Sequence, residues 1–325
     1  MISGLSFTGL FYGIGIFISG YYISRLIFLL FDIYLKPAKK LTDFGAGKGD
    51  WAVITGATDG IGKALATELA ANKMNLILIS RSESKLEETK KELQKDGILI
   101  KTIAVDFAQA KDSDWDLIKQ TIKPLRTSIL INSVGISHEF PKPFEEEDQE
   151  RCDTIIELNI KALVNMTRIV VPKMKERKNG LIINMGSFVS LVPSPFLAMY
   201  SGSKSFVKSF SQAIGSELFP FGILVQHVNT YYVVSKMSKI RKPSFTTPLP
   251  DVYARSLLSH IGSGCGTIEP FTSVPFLSHA LLSFVIENCF SRKFWLDIYH
   301  NMLQDVRKRA LAKQARIAAE KEKTN

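Results

Sequence analysis

Trp51-Ala-Val-Ile-Thr55-Gly56-Ala57-Thr58-Asp59-Gly60-Ile61-Gly62 joins a strand signal to a glycine turn and a helix start. The apolar run Trp51–Thr55 has strand length, the turn holds Gly56, Gly60 and Gly62, and a helical pattern continues from Ile61 to about Asn72. Glycines are needed there because the backbone must bend tightly and come close to a pyrophosphate. The helix N-terminus then offers its unpaired N–H groups to the phosphates. A glycine-rich turn alone is weak evidence for nucleotide binding, but between a strand and a helix at the start of a βαβ unit it becomes strong. The spacing is TGxxxGxG rather than the commoner GxGxxG, and Gly56, Gly60, Ile61 and Gly62 are the expected cofactor contacts.

The chain downstream repeats this alternation. Asn75–Ser80 (NLILIS) reads as a second buried strand and Ser82–Lys95 as a polar helix. Ile98–Val105, Ser128–Asn132, Leu181–Gly186 and Ile223–Val228 are further strands, with helical segments between them. Such alternation predicts an α/β fold with a Rossmann-like, doubly wound parallel sheet, whose ligands bind beyond the carboxyl ends of the strands. The catalytic domain is expected over 50–260, which leaves little of the 325 residues for a second one. At the end of the second strand an NAD enzyme carries an acid for the ribose 2′-hydroxyl. Here the chain reads Ser80-Arg81-Ser82, and Arg81 can instead pair with a 2′-phosphate. NADPH is therefore the expected cofactor.

Upstream, Ile2–Ser24 holds 23 residues without a charge, where roughly 20 suffice to cross a bilayer as a helix. A cleaved signal peptide would need a basic n-region and a small-residue cleavage site, and neither is present. Apolar character also continues past Arg25 to Leu35, so 1–35 is expected to be an N-terminal transmembrane anchor, followed by a linker over 36–49. Arg25, Lys36, Lys39, Lys40 and Lys48 follow the span and none precedes it, which places the rest of the chain in the cytosol. Gly9 and Gly13 form a GxxxG of little weight by itself.

After about residue 245 the α/β pattern stops. Within 261–325, Phe276–Ile286 is apolar but too short to span a bilayer. Trp295, Ile298, Tyr299, Met302, Leu303, Val306 and Ala310 recur at helical spacing among Arg307, Lys308, Arg309, Lys313 and Arg316. This basic amphipathic helix suits either a membrane surface or docking on its own domain. From Ser291 onward nine Lys/Arg face four Asp/Glu, half of the net charge of +10. Because that charge sits beside apolar membrane elements, nucleic acid is a poor candidate partner. Cys152, Cys265 and Cys289 form no CxxC pair and the five histidines are scattered, so neither disulfide framework nor metal is expected.

Ketone reduction needs a hydride donor, an acid for the developing alkoxide and donors that polarise the carbonyl. Tyrosine serves as that acid only where a nearby cation lowers its pKa, and a lysine four residues on along a helix lies on the same face. Tyr200-Ser-Gly-Ser-Lys204 has this spacing, and so does Tyr232-Val-Val-Ser-Lys236. Position separates them. Tyr200 opens a helical segment with Ser187 at the end of the preceding strand, 13 residues upstream, whereas Phe219 stands 13 before Tyr232 and cannot donate a hydrogen bond. Two adjacent valines after Tyr232 also disfavour a helix.

Together, Thr55–Gly62, Ser187, Tyr200 and Lys204 resemble the short-chain dehydrogenase/reductase family over about residues 50–245. The resemblance implies that Tyr200 is the general acid and that Ser187 bonds the substrate carbonyl. Lys204 would hold the nicotinamide ribose and lower the Tyr200 pKa. It further implies that Asn159 supports a water relay to the lysine, that Asp106 contacts the adenine, and that Asn132 and Gly135 belong to the cofactor site. The usual NNAG reads Asn132-Ser-Val-Gly135 here, and the usual Pro-Gly after the sixth strand is Thr230-Tyr231. Val233 and Ser235 align with the family's nicotinamide contacts. Within the family the chain resembles the very-long-chain 3-oxoacyl-CoA reductases and the 17β-hydroxysteroid dehydrogenases of types 3 and 12. The anchor, Ser80–Leu86, Gly186-Ser-Phe-Val and Lys236–Ser244 carry that likeness. It implies a long-chain 3-oxoacyl-CoA substrate, other fatty-acid elongation enzymes as partners, and leaves room for a homodimer. A steroid or retinoid ketone reductase, or a catalytically silent NADP-binding scaffold, stay open as alternatives. Lys321 and Lys323 match the KxKxx retrieval pattern of endoplasmic-reticulum membrane proteins, so that membrane is the expected location.

Overall fold

In the computed structural model, which describes residues 7–94 and 97–322, the α/β alternation builds a single sheet. Its strands are β1 (Trp51–Thr55), β2 (Asn75–Ser80), β3 (Ile100–Ala104), β4 (Thr127–Asn132), β5 (Gly180–Met185), β6 (Ile223–Val228) and β7 (Thr272–Ser273). All neighbours pair in parallel, in the order β3-β2-β1-β4-β5-β6-β7. The central strands β1, β2, β4 and β5 read as near-continuous apolar runs because both sheet faces are covered. Ala52, Ile54, Leu76 and Leu78 point into one layer, against α2 (Gly60–Ala71) and α8 (Pro250–Leu258). Their neighbours Val53, Ile77 and Ile79 point into the other, against α4 (Asp112–Ile122) and α6 (Ala162–Arg177). The remaining short helices α3 (Glu83–Leu93) and α5 (Gln149–Ile156) complete these layers. Strand order reverses between β1 and β4, which opens the crevice where such sheets bind ligands.

Three features depart from the sequence reading. Residues 36–49 are no free linker: Leu41–Phe44 form a 3-10 turn with Leu41, Phe44 and Ala46 buried. Backbone oxygens pin that segment, since Ser128 Oγ donates to the Phe44 carbonyl at 2.5 Å and Asn179 Nδ2 to the Asp43 carbonyl at 2.9 Å. The sheet also continues beyond residue 260. Thr272 and Ser273 pair with His227 and Val228, a two-residue polar strand that only the open edge of β6 recruits. Finally, the apolar residues of α10 (Arg292–Glu322) do not share one face: Trp295, Tyr299, Leu303, Val306 and Ala310 turn inward, while Ile298 and Met302 stay exposed. Lys95, Lys323 and the side chain of Lys321 lie outside the described residues.

Helix α1 (Phe7–Tyr34) leaves the domain almost unburied, and its stretch Thr8–Tyr34 is long and apolar enough to cross a membrane. At 1.5 Å per residue it measures about 40 Å, more than the roughly 30 Å hydrocarbon core. Its base belongs to the protein. Leu29 and Asp32 are each 1% exposed, Lys36 pairs with Asp32 at 3.1 Å, and the Gly266 N–H donates to the same carboxylate at 3.3 Å. Gly266 is required there, because a Cβ would stand 2.5 Å from Leu29 Cγ.

Candidate active site

Tyr200 occupies the third position of α7 (Ala198–Leu218), and Lys204 follows one turn later on the same face. Lys204 is buried, its Nζ 5.9 Å from the Tyr200 ring centroid and donating to the Met185 carbonyl at the end of β5, at 2.8 Å. Burial pulls its pKa down to about 8. Ser187 follows β5 in extended backbone and starts the 3-10 turn Phe188–Ser190, its hydroxyl near enough to the Tyr200 phenol to act on its pKa. The phenol pKa is pushed up by burial and by nearby Tyr232, with the Ser187 hydroxyl opposing. The Lys204 ammonium is turned to Met185, and desolvation of the phenol prevails over the Ser187 contribution.

Asn159 sits in a π-helical turn, Glu157–Lys161, that interrupts the run from α5 into α6. Such wide turns re-aim side chains and recur at functional sites. Asn159 Oδ1 accepts from the Ile136 N–H at 2.8 Å, and Nδ2 donates to the Ile136 carbonyl at 3.0 Å and to Ser203 Oγ at 2.9 Å. Ser203 in turn donates to the Tyr200 carbonyl at 2.8 Å. A Cβ on Gly135 would lie 2.9 Å from Asn159 Oδ1 and 3.7 Å from Lys204 Nζ, so Gly135, Asn159 and Lys204 share one corner.

Sequence reasoning missed the support on the other side of Tyr200. His138 Nε2 accepts the Tyr200 backbone N–H at 3.3 Å, capping a helix whose own N-cap, Leu197, supplies no side-chain bond. His138 Nδ1 bonds Glu147, and Lys142 Nζ reaches that carboxylate at 3.3 Å. Desolvation alone would raise the Glu147 pKa, but bonds from His138, the Asp148 N–H and Lys142 bring it below the ordinary value. His138 and Glu147 lie in irregular chain, where no periodicity marks them. Tyr232, the rejected match, stands close enough to Tyr200 to raise its pKa, yet Lys236 has turned away to Asp59 at 2.8 Å.

The nucleotide side is shaped by glycine. Gly56 has φ +68°, and a Cβ there would meet the Ser133 carbonyl at 3.0 Å; one on Gly62 would meet the Gly56 carbonyl at 2.3 Å. Thr55 Oγ1 accepts the Ser133 and Val134 N–H groups at 3.1 and 3.2 Å, bolting β1 to the loop after β4. Thr58 Oγ1 and Ser80 Oγ lie 2.9 Å apart, tying the turn to the end of β2. The next residue, Arg81, is exposed and has no hydrogen bond or ion pair among the described residues. Asp106, beyond β3, is also exposed and receives the Ala108 N–H at 3.0 Å. A glycine cradle, a helix N-terminus and an unpaired guanidinium at the ribose end fit NADPH.

Three of the expected cofactor residues also make contacts within the protein. Asn132 is buried, and its Nδ2 donates to Asn184 Oδ1 at 2.8 Å and Thr167 Oγ1 at 3.3 Å. Asn184 passes the chain on to Ser211, so Asn132 locks β4, β5 and α7 together under the site. The Val233 side chain is core. The Ser235 hydroxyl exchanges hydrogen bonds with Ser238 at 3.2 Å, although its Cβ comes within 3.6 Å of a Cβ built on Gly60.

Residues 50–244 match the short chain dehydrogenase family. The chain belongs to that family. A very-long-chain 3-oxoacyl-CoA reductase of Laccaria bicolor is 41% identical over 304 residues, covering 91% of this chain and 90% of the relative. One of Coccidioides immitis is 44% identical, with 90% and 85% covered. Among solved structures, a short-chain dehydrogenase from Sphingobium yanoikuyae in complex with NADPH aligns at TM-score 0.60 and 22% identity, over 81% of this chain and 95% of that one. A 3-ketoacyl-(acyl-carrier-protein) reductase from Brucella melitensis complexed with NADH aligns at 0.60 and 25%, covering 70% and 96%. The seven-stranded parallel sheet is the shared part of the short-chain dehydrogenase fold.

Proposed function

We propose that this chain is a membrane-anchored, NADPH-dependent reductase of long-chain 3-oxoacyl-CoA that forms the 3-hydroxyacyl-CoA in very-long-chain fatty-acid elongation. The observation that carries it is Ser187 beside Tyr200 with Lys204 one turn behind, next to a glycine cradle and Arg81. Relatives of that name at above 40% identity supply the substrate class. When bound, NADPH supplies the hydride. Ser187 and Tyr200 would hold the ketone oxygen between two hydroxyls, polarising it where negative charge develops. Tyr200, a phenol and so protonated at neutral pH, would then give its proton to the nascent alkoxide. Lys204 would orient the nicotinamide ribose, with Asn159 and Gly135 shaping the corner behind it. Arg81 would take the 2′-phosphate, and Gly56, Gly60, Ile61 and Gly62 the pyrophosphate, with Asp106 at the adenine end.

A silent scaffold has no use for an intact Ser187, Tyr200 and Lys204. The cations after the span, Arg25, Lys36, Lys39 and Lys40, support a catalytic domain on the cytosolic side. The KxKxx pattern supports the endoplasmic reticulum, beside the other elongation enzymes. The test is NADPH consumption by membranes containing the full chain, with long-chain 3-oxoacyl-CoA set against steroid ketones. Turnover of the acyl-CoA is expected, and turnover of the steroid alone would overturn the reading.

A further inference from the structure

Helix α9 (Leu277–Asn288) runs into α10 through a corner in which Phe290 and Ser291 are exposed. Phe290, 68% exposed, holds a positive φ of 68°, a conformation that costs a bulky residue energy and persists only where its surroundings fix it. Its ring stacks on Phe294 with centroids 4.3 Å apart. Ile298 and Met302 continue the series at four-residue spacing, and all four are exposed. Phe290 and Phe294 touch the inward Trp295 with ring centroids 6.1 and 5.4 Å away, yet all four side chains keep apolar surface that solvent does not account for.

The neighbourhood says what covers this stripe. Tyr22 Oη of α1 donates to the Asn288 carbonyl at 3.3 Å, and Arg25 of α1 acts electrostatically on Glu287. The corner is therefore level with residues 22–25 of α1, where the charge-free span gives way to its first cation. Arg292 and Lys293 flank it, both exposed. Aromatic side chains beside basic ones, at the depth where a span leaves the hydrocarbon, match the acyl–headgroup boundary of a bilayer with anionic lipid.

We infer that the α9–α10 corner is a second membrane contact, with Phe290 and Phe294 inserted into the leaflet that α1 leaves and Ile298 and Met302 lying along its surface. The contact holds the domain at a set tilt instead of letting it swing on one helix. It also has a use that rests on the proposed substrate. Behind the corner, Leu281 and Tyr299 belong to an apolar cluster that also holds Leu29 of α1, Tyr231 and Phe188, the residue after Ser187. An acyl tail could follow that cluster from lipid to the ketone site while its CoA end stays in water.

The test uses the full chain reconstituted in phosphatidylcholine–phosphatidylserine vesicles. A nitroxide is placed at position 290, 294 or 308 through Phe290→Cys, Phe294→Cys or Lys308→Cys, each with Cys289→Ser; the other two cysteines are buried. At 290 and 294, collisions with lipid-soluble oxygen should exceed those with a water-soluble nickel chelate, by several-fold relative to exposed Lys308. Equal nickel access at all three positions overturns the contact. Spin–spin broadening with shielding from both reagents at 290 overturns it too, in favour of a second protein copy. This readout needs no turnover, so it stands apart from the substrate assignment. Phe290→Glu/Phe294→Glu should keep NADPH binding and lower kcat/KM at least tenfold for a long-chain 3-oxoacyl-CoA, with little change for a short-chain one. Equal loss on both substrates removes the acyl-tail use and leaves the membrane contact to the nitroxide result.

Discussion

Replacing His138 with leucine should destabilise the enzyme far more than a typical single substitution, because of what it leaves behind. His138 and Glu147 side chains are each 2% exposed. Without the imidazole, the Glu147 carboxylate keeps only Lys142 Nζ at 3.3 Å and the Asp148 N–H at 3.1 Å. Removing one partner of a buried pair costs about 3–5 kcal/mol, and the retained Lys142 argues for the lower end. The Tyr200 N–H also loses its acceptor, a helix cap worth about 1 kcal/mol. The sum, about 4 kcal/mol, is a large share of the 5–15 kcal/mol that holds a domain together. At about 2–4 °C per kcal/mol, melting of the full chain in detergent, followed by tryptophan fluorescence, should move down by about 10 °C. His138→Leu/Glu147→Leu removes the stranded charge as well, and should recover about 2 kcal/mol of the loss. A single variant melting within about 2 °C of the wild type, or a double variant no more stable than the single, would refute this account. The pH dependence has a defined sign. The Glu147 pKa is lowered in the folded state, so its contribution is present above the ordinary carboxylate value and lost as pH falls through the lowered one.

Tyr200→Phe should keep NADPH binding and lower turnover by about 10²–10⁴-fold, the cost of losing an acid catalyst, whereas Tyr232→Phe should retain most activity; the reverse would mean that the wrong tyrosine has been assigned. Arg81→Asp should move the NADPH/NADH ratio of kcat/KM toward NADH, and an unchanged ratio would take Arg81 out of the cofactor site. Lys204, with its pKa near 8, should lose its charge as pH rises through that value, so kcat/KM should fall above it. Its effect on stability has the opposite sign: burying the cation penalises folding below about 8, and the penalty is relieved as pH climbs toward 10.5, so a pH–stability curve falling there would contradict the assignment. The cations after the nicotinamide loop divide in the structure, since Lys236 binds Asp59 and Lys239 Nζ donates to the Glu139 carbonyl at 2.5 Å. Arg241→Gln/Lys242→Gln should therefore raise KM for a 3-oxoacyl-CoA, most at low salt, and leave a CoA-free ketone unaffected; equal changes for both would dismiss a CoA contact.

Local chemistry was enough to read the α/β frame. A buried parallel strand is largely apolar, and β1, β2 and β6 stand out as short apolar runs even though Gln226 and His227 interrupt the last. The glycine turn was legible for a related reason: at Gly56 and Gly62 a Cβ has nowhere to go. Tyr200 and Lys204 were readable because four residues along a helix is a distance, so spacing there is geometry. What depends on contacts between distant segments left no such trace. Thr272–Ser273 is a strand only because β6 has a free edge, and residues 36–49 are packed because the folded domain buries Leu41, Phe44 and Ala46 and bonds the segment's backbone through Ser128 and Asn179. His138 finds Tyr200 across 62 positions, and the raised Tyr200 pKa follows from burial that no spacing encodes. Asn132 shows the limit most plainly. Its motif pointed to the cofactor, and only the assembled core shows that its Nδ2 also bonds Asn184 and Thr167, residues 52 and 35 positions away.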